Sequence, residues 1–337
     1  MVSNRYLATL VAVAALVPVY SAAQSTNATV PPRTPWGVPD LGGVWDFRTT
    51  TPLERPDESA GKTELTAEET AVQKARAQLV DREPPPGDPG AYNAFWFDTP
   101  GLIDDRRTSL IVDPPDGKLP PLTPEAQHQV GSLAEDVPGP GPVRYRAGGS
   151  GVEGPESRGL AERCILGFAN GPPLTPGGYN QNIQLFQTPE HVIILNEMVH
   201  DPRIVALDGR PHLPKDIRQW NGDARGYWDG DTLVIESTNF TEKTASFTPN
   251  ALVAMGSGEN LRLTERLTRV NADVLRYEYT VDDPTTFTRP FTAAIPMRRS
   301  AAPIFEYACH EGNYGMQNIL RGAREDEQAV AETEQSR

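Results

Sequence analysis

Apolar and polar residues alternate with a period of two through much of the second half of the chain. In "LRLTERLTRV" (residues 261–270), Leu261, Leu263, Glu265, Leu267 and Arg269 fall on one face and Arg262, Thr264, Arg266 and Thr268 on the other. In "VLRYEYT" (residues 274–280), Leu275, Tyr277 and Tyr279 oppose Arg276, Glu278 and Thr280. The stretches "QNIQLFQT", "HVIILNEMV", "PRIVALDG", "DTLVIESTNF", "LRLTERLTRVN", "DVLRYEYTVDD", "TRPFTAAIPMRR" and "PIFEYAC" each read as a strand. Turn signals separate them, among them "LDGRPH", "WDGD", "VNAD" and "DDPTT". Short strands at close spacing predict a mainly β protein, an antiparallel meander closed as a barrel or folded as a sandwich.

The pattern also places carboxylates in mid-strand: Glu197, Glu236, Glu265, Glu278 and Glu306. Glu197 and Glu265 share a face with mainly apolar neighbours. A carboxylate there needs a partner or a raised pKa, so one or two of the five are expected to face a cavity.

The first half reads differently. Residues 24–160 are rich in proline and glycine ("VPPRTPWGVPD", "REPPPGDPG", "VDPPDGKLPPLTPE", "VPGPGPVRYRAGGSGVEGPE"), which suits an extended wrapping arm rather than the middle of a sheet. A helix is predicted at residues 66–80, with Thr66 as N-cap and glutamates in its first turn, and a shorter one within "LTPEAQHQVGSLAE". "DLGGVWDFRT" predicts an early strand. The barrel core is expected over residues 161–325, with a final helix in "NYGMQNILRGAREDEQAVAE" covering one end and a charged, frayed tail at 326–337.

Residues 1–23 have the layout of a signal peptide. One positive charge precedes the apolar "YLATLVAVAALVPVY", and small residues follow it, with cleavage most simply after Ala23. The expected location is therefore the periplasm or outside the cell, with no membrane association after cleavage. The full chain of 337 residues carries a net charge of −14, and losing Arg5 with the leader makes it one unit more negative. Such a chain repels nucleic acid and anionic lipid, so neither is expected as a partner. The two cysteines, Cys164 and Cys309, are predicted to pair in an oxidising compartment. The bridge closes a loop of nearly half the chain, for which the chain-entropy model gives about 4 to 5 kcal/mol.

Candidate chemistry gathers around histidines. "ACHEG" sets His310 beside Glu311; "NEMVHDPR" sets His200 near Glu197 and Arg203; "LDGRPH" carries His212 with Asp208 and Arg210. Imidazoles titrate near neutral pH, carboxylates orient them, and arginines hold anions or developing oxyanions. No HExxH pattern and no G-x-S-x-G elbow occurs. His200, His212 and His310 remain a loosely spaced alternative set of zinc ligands. In "WNGDARGYWDGDTLVIESTNF" (residues 220–240), Trp220 and Trp228 are candidate ligand contacts. Its plain reading is a hairpin in which Asp223 and Asp231 cap turns and Arg225 pairs with either. Tyr179 and Asn180 in "GYNQN" are further candidate hydrogen-bonding groups.

"RTSLIVDPPDGKLPPLTPE", "EMVHDPRIVALDGRPH", "GDARGYWDGDTLVIESTNF" and "FEYACHEGNYGMQNILRGAR" resemble a family of secreted bacterial proteins without an assigned activity. "DLGGVW" is similar to the glycine-x-tryptophan opening of lipocalin-like barrels, which implies that Trp45 plugs the closed end. The expectation is thus a lipocalin-like antiparallel barrel with a proline-rich N-terminal arm and a few short helices. The expected activity is cofactor-independent acid/base chemistry on a small organic molecule, by a lyase, isomerase or cyclase. His200 or His310 would be the base, Glu311 or Glu197 its partner, and Arg203 or Tyr179 the electrophilic stabiliser. Tyr179, Asn180, His212, Trp220 and Trp228 would bind substrate. The alternatives are a carrier of a small apolar ligand and a zinc hydrolase.

Overall fold

The computed structural model describes residues 31–79, 105–126, 128–130, 154–167, 171–177, 179–199, 201–250 and 253–336. The leader, residues 1–23, lies outside them. No helix among the described residues is long and apolar enough to cross a membrane.

The strands are β1 (Gly43–Asp46), β2 (Ile111–Asp113), β3 (His128–Val130), β4 (Asn182–Gln187), β5 (His191–Asn196), β6 (Pro202–Ala206) and β7 (Asp223–Asp229). They continue as β8 (Thr232–Thr238), β9 (Phe247–Asn250), β10 (Val253–Met255), β11 (Arg262–Arg269), β12 (Val274–Asp282) and β13 (Phe291–Ser300). The helices are α1 (Ala67–Leu79) and α2 (Tyr314–Gln335).

Nine strands close into a barrel in the order β1-β4-β5-β6-β7-β8-β11-β12-β13 and back to β1. Closure rests on β1, whose residues pair with β4 on one side (Trp45 opposite Ile183) and β13 on the other (Trp45 opposite Arg299). β2 adds to β13, and β3, β10 and β9 form a separate three-stranded sheet. The early strand of the arm is therefore part of the barrel itself.

Alternation sorts the side chains as the pattern predicts. On β11, Leu263, Glu265, Leu267 and Arg269 are buried. Opposite them on β12, Leu275, Tyr277, Tyr279 and Val281 are buried too. The outer faces carry polar cross-strand contacts, such as Thr232 Oγ1 to Thr268 Oγ1 at 2.8 Å and Thr280 Oγ1 to Thr292 Oγ1 at 2.8 Å.

Trp45 on β1 is fully buried. Its Nε1 donates to the Leu41 carbonyl at 2.8 Å, and the Arg269 guanidinium lies 5.2 Å from its ring centroid. The same guanidinium donates to the carbonyls of Asp40, Asn271 and Ala272, so a buried cation is held by backbone dipoles and an aromatic face.

The structure departs from the sequence pattern in several places. The barrel is mixed, because β6 and β7 run parallel, with Ala206 opposite Arg225. The connection of residues 207–222 is long enough to return to the starting end of the barrel, which a hairpin turn is not. Close approach of the two strands needs Gly226: a Cβ there would lie 2.7 Å from Val205 Cγ1 and 2.8 Å from Leu207 Cδ2. "PIFEYAC" forms no strand, because β13 already pairs with β12, β1 and β2 and offers no free edge. The helix expected in "LTPEAQHQVGSLAE" gives way, at its described residues, to a turn and to β3.

α1 forms as predicted. Thr66 Oγ1 accepts from Glu69 N at 3.2 Å and Glu69 Oε2 accepts from Thr66 N at 2.7 Å, a reciprocal cap. α2 extends through the charged tail, started by Asn313, whose side chain accepts from Met316 N, and supported by Arg321–Glu325 and Arg324–Glu327 pairs. It buries none of its residues and so does not cover the barrel end as expected.

Cys164 and Cys309 form the predicted disulfide across a sequence separation of 145. It joins the loop before β4 to the segment after β13, rather than to a last strand. Asn313 Nδ2 donates to the Glu162 carbonyl at 2.9 Å beside it.

Replacing both cysteines by serine should cost on the order of 2–4 kcal/mol in urea denaturation. Neither sulfur sits in a barrel strand, so the far-UV circular dichroism should keep its β signature. Loss of that signature would show that the staple is needed for the barrel itself.

Candidate functional site

The inward faces of β6, β11 and β12 bring three polar side chains into an otherwise apolar interior. β6 buries Arg203 and Val205 and exposes Pro202 and Ile204. The alternation of β11 turns Glu265 inward, where it has no solvent exposure. Arg203 Nη1 donates to Glu265 Oε2 at 2.7 Å and Nη2 to Oε1 at 3.0 Å, a two-pronged pair. Strands β7 and β8 lie between β6 and β11 in the sheet, so the pair spans the interior rather than neighbouring strands. Tyr277 Oη donates to Glu265 Oε1 at 2.7 Å and accepts from Leu174 N at 3.2 Å, tying the loop before β4 into the network.

Burial is the largest influence on the ionisation of Tyr277, Arg203 and Tyr279. It raises the Tyr277 phenol well above its usual range, and the adjacent Glu265 charge raises it further. Burial opposes the charged Arg203 guanidinium, but the Glu265 carboxylate, by charge and hydrogen bond, leaves its pKa raised. Tyr279, directly across from Glu265 in the β11–β12 register, is raised by burial alone. Among the described residues, three polar atoms at inward-facing strand positions have no hydrogen-bond partner: Tyr279 Oη, Ser237 Oγ and Asn196 Oδ1. Ser237 lies opposite Leu263, and Asn196 opposite Ile183.

The residues expected to form the site fall into separate groups. Arg203 pairs with Glu265, not with Glu197. Glu197 is buried just past β5, where it accepts from Asn182 Nδ2 at 2.8 Å and from Phe305 N at 3.3 Å. It anchors the segment after β13 to the barrel. His310 and Glu311 are exposed in the turn before α2, beside the disulfide.

His212 sits in the connection from β6 to β7, with its Nδ1 2.9 Å from Asp223 Oδ2. Asp223 is buried and also accepts from Leu213 N at 2.9 Å and Arg225 Nη1 at 2.6 Å. Arg225 thus chooses Asp223; Asp231 instead pairs with Arg33 at 2.7 Å. In the alternation of β7, Ala224 joins the apolar core, so Asp223 and Arg225 lie on the outer side. Trp228 packs against the core, Trp220 is half-buried, and Tyr179 and Asn180 are half-buried before β4, Asn180 with a left-handed φ of 53°. His200 lies outside the described residues. Among the described residues, no three His, Cys, Asp or Glu side chains assemble into a metal-binding group.

The interior network was only partly visible in the pattern. Glu265 stands out as a carboxylate on an apolar face, and Tyr277 and Tyr279 share the matching face of the next strand. Nothing in their spacing points to Arg203 as the partner, because the pair is made across the barrel. Compared with family models, curated proteins and solved structures, the chain matches none.

Two outcomes test this arrangement. Arg203→Met should cost on the order of 3–5 kcal/mol, because it strands a buried carboxylate, whereas Arg203→Met with Glu265→Leu should cost much less. Additive losses in that cycle would show that the two groups do not interact. Both buried phenols have raised pKa values, so their contribution to stability is complete below the unfolded tyrosine pKa, about 10. Above it the unfolded chain releases two protons that the folded chain retains. Stability should then fall by about 1.4 kcal/mol per pH unit for each phenol, and Tyr279→Phe should remove one of the two contributions.

Proposed function

We propose that the protein is an exported binder of a small organic molecule, which it holds inside the barrel. The observation that carries this reading is a closed barrel whose inner walls bury polar groups among apolar ones: the hydrogen-bonded Arg203–Glu265–Tyr277 network and, without a partner among the described residues, Tyr279 Oη, Ser237 Oγ and Asn196 Oδ1. Buried hydroxyls and amide oxygens ordinarily find partners, and leaving one unpaired costs about 1–3 kcal/mol. A nine-stranded barrel is also of the size class in which such proteins hold one small ligand. The disulfide fits export to an oxidising compartment such as the periplasm.

Acid/base catalysis of the lyase or isomerase kind is a second reading, favoured by His212. Its imidazole is oriented by the buried Asp223 carboxylate, the arrangement that fixes the tautomer of a general base. His310 with Glu311 offers a weaker case, since both are exposed and neither is held by a buried group. Glu265 is poorly suited as a base because Arg203 and Tyr277 occupy both its oxygens.

The protein purified from its host should carry a small-molecule adduct in native mass spectrometry that is released on unfolding. It should also begin at Gln24. Absence of any adduct, together with no saturable binding of apolar dyes, would remove the binding reading. If the released molecule is returned to the protein unchanged after long incubation, the protein is a carrier. If it is converted to an isomer or elimination product, and His212→Asn stops conversion while binding holds, it is an enzyme.

A further inference from the structure

We propose that the outer face of β4, β5 and β6 is an interaction surface for a second copy of this chain, the two faces meeting about a twofold axis at Ile193.

The register of the three strands lays this surface out. Phe186 on β4 stands opposite Ile193 on β5, and Ile193 stands opposite Ile204 on β6. The next row is Gln184, Leu195 and Pro202. Val192, Ile194 and Val205 belong to the core, so the positions alternating with them face outward. Phe186 and Ile204 are 42% and 62% exposed, and Pro202 is exposed too. No outward position on these strands is Asp, Glu, Lys or Arg. The barrel wall elsewhere is built differently: the outward positions of β11 are Arg262, Thr264, Arg266 and Thr268. Arginine and threonine form the same ladder there, so pairing of the strands does not explain an aromatic and two isoleucines in a row facing outward. A contiguous apolar panel on a surface that is otherwise polar marks a contact site.

Charge selects the occupant. The chain has a net charge of −14, so two copies repel over most of their surfaces and approach most easily where neither carries an ion. An anionic partner is repelled in the same way. A cationic partner is drawn to the acidic remainder of the surface rather than to a panel without carboxylates. The panel fits another uncharged apolar face, and a second copy supplies one.

The panel is also self-complementary. Turning a copy about an axis along β5 sets Ile193 against its own equivalent. The same rotation sets Phe186 against the equivalent of Ile204, and Ile204 against the equivalent of Phe186. Sheets packed face to face in this way lie about 10 Å apart with their strands within about 30° of each other. Two rows across three strands spaced about 4.8 Å apart make a contact below the usual interface size, so association in the micromolar range is expected.

The protein purified from its host should sediment as a dimer at about 100 μM and dissociate on dilution below about 1 μM. Ile204→Lys should weaken association at least about tenfold, since it buries an unpaired ammonium, while its side chain stays in water in the monomer and the circular dichroism is unchanged. No described cysteine is free, so a cysteine introduced on the panel reports the contact directly. Ile193→Cys should form a reducible covalent dimer under mild oxidation, and Thr264→Cys, on the polar wall, should not.

A monomer throughout that concentration range overturns the proposal. So does a dimer that Ile204→Lys leaves intact, or equal cross-linking through Thr264→Cys. Sedimentation of a monomer with phosphatidylcholine vesicles, abolished by Ile204→Lys, would give the panel to a membrane surface instead.

Discussion

Four residues of β1 make this molecule a closed object. Gly43–Asp46 pair with β4 on one side and β13 on the other, and without them the remaining eight strands would form a sheet with open edges at β4 and β13. Several other features follow from that closure. The proline-rich arm must lead into the barrel wall, so it is part of the fold rather than an appendage. "PIFEYAC", although strand-like in composition, finds no edge and runs as an extended segment tethered by Glu197 and by the disulfide. Trp45, in the closing strand, is fully buried in the core.

Closure also determines the electrostatics. A sealed apolar interior has little dielectric screening, so an ionisable side chain pointing inward must meet a partner or lose its charge. Glu265 meets Arg203 across the barrel, and Tyr277 completes the set. A buried ion pair of this kind is weak evidence for stability, since well-packed apolar residues often do as well. What it does supply is register: the pair joins strands that are not neighbours, and a one-residue slip of β11 would carry Glu265 to the outer face. The Tyr279 and Ser237 hydroxyls make no such bond, which sets them apart from the three groups that tie strands together.

The outer surface has a different logic. His212, Asp223 and Arg225 form a compact polar cluster outside β7, and the same bonds fix the long connection that lets β6 and β7 run parallel. Glu197 and Asn313 do comparable work near the disulfide. Polar residues that look catalytic in a string of letters are here holding loops to a barrel, with His212 the one whose geometry also suits proton transfer.

The sequence by itself determined the local features. The strand-like runs identified β4, β5, β6, β8, β11, β12 and β13, and period-two alternation assigned the inward faces of β11 and β12 correctly, because side-chain direction in a strand is a purely local property. The cap Thr66 and the pairing of the only two cysteines were equally legible, each needing only nearby residues or a count. The tertiary structure alone decided the rest. The parallel step from β6 to β7, the exclusion of "PIFEYAC" and the failure of α2 to bury a face depend on which sheet edges and core surfaces remain free once the barrel closes. Arg203 and Glu265 are 62 residues apart and three strands from each other, and nothing in either local pattern encodes the meeting. Long-range pairing is settled by the closed geometry, which no window of sequence contains.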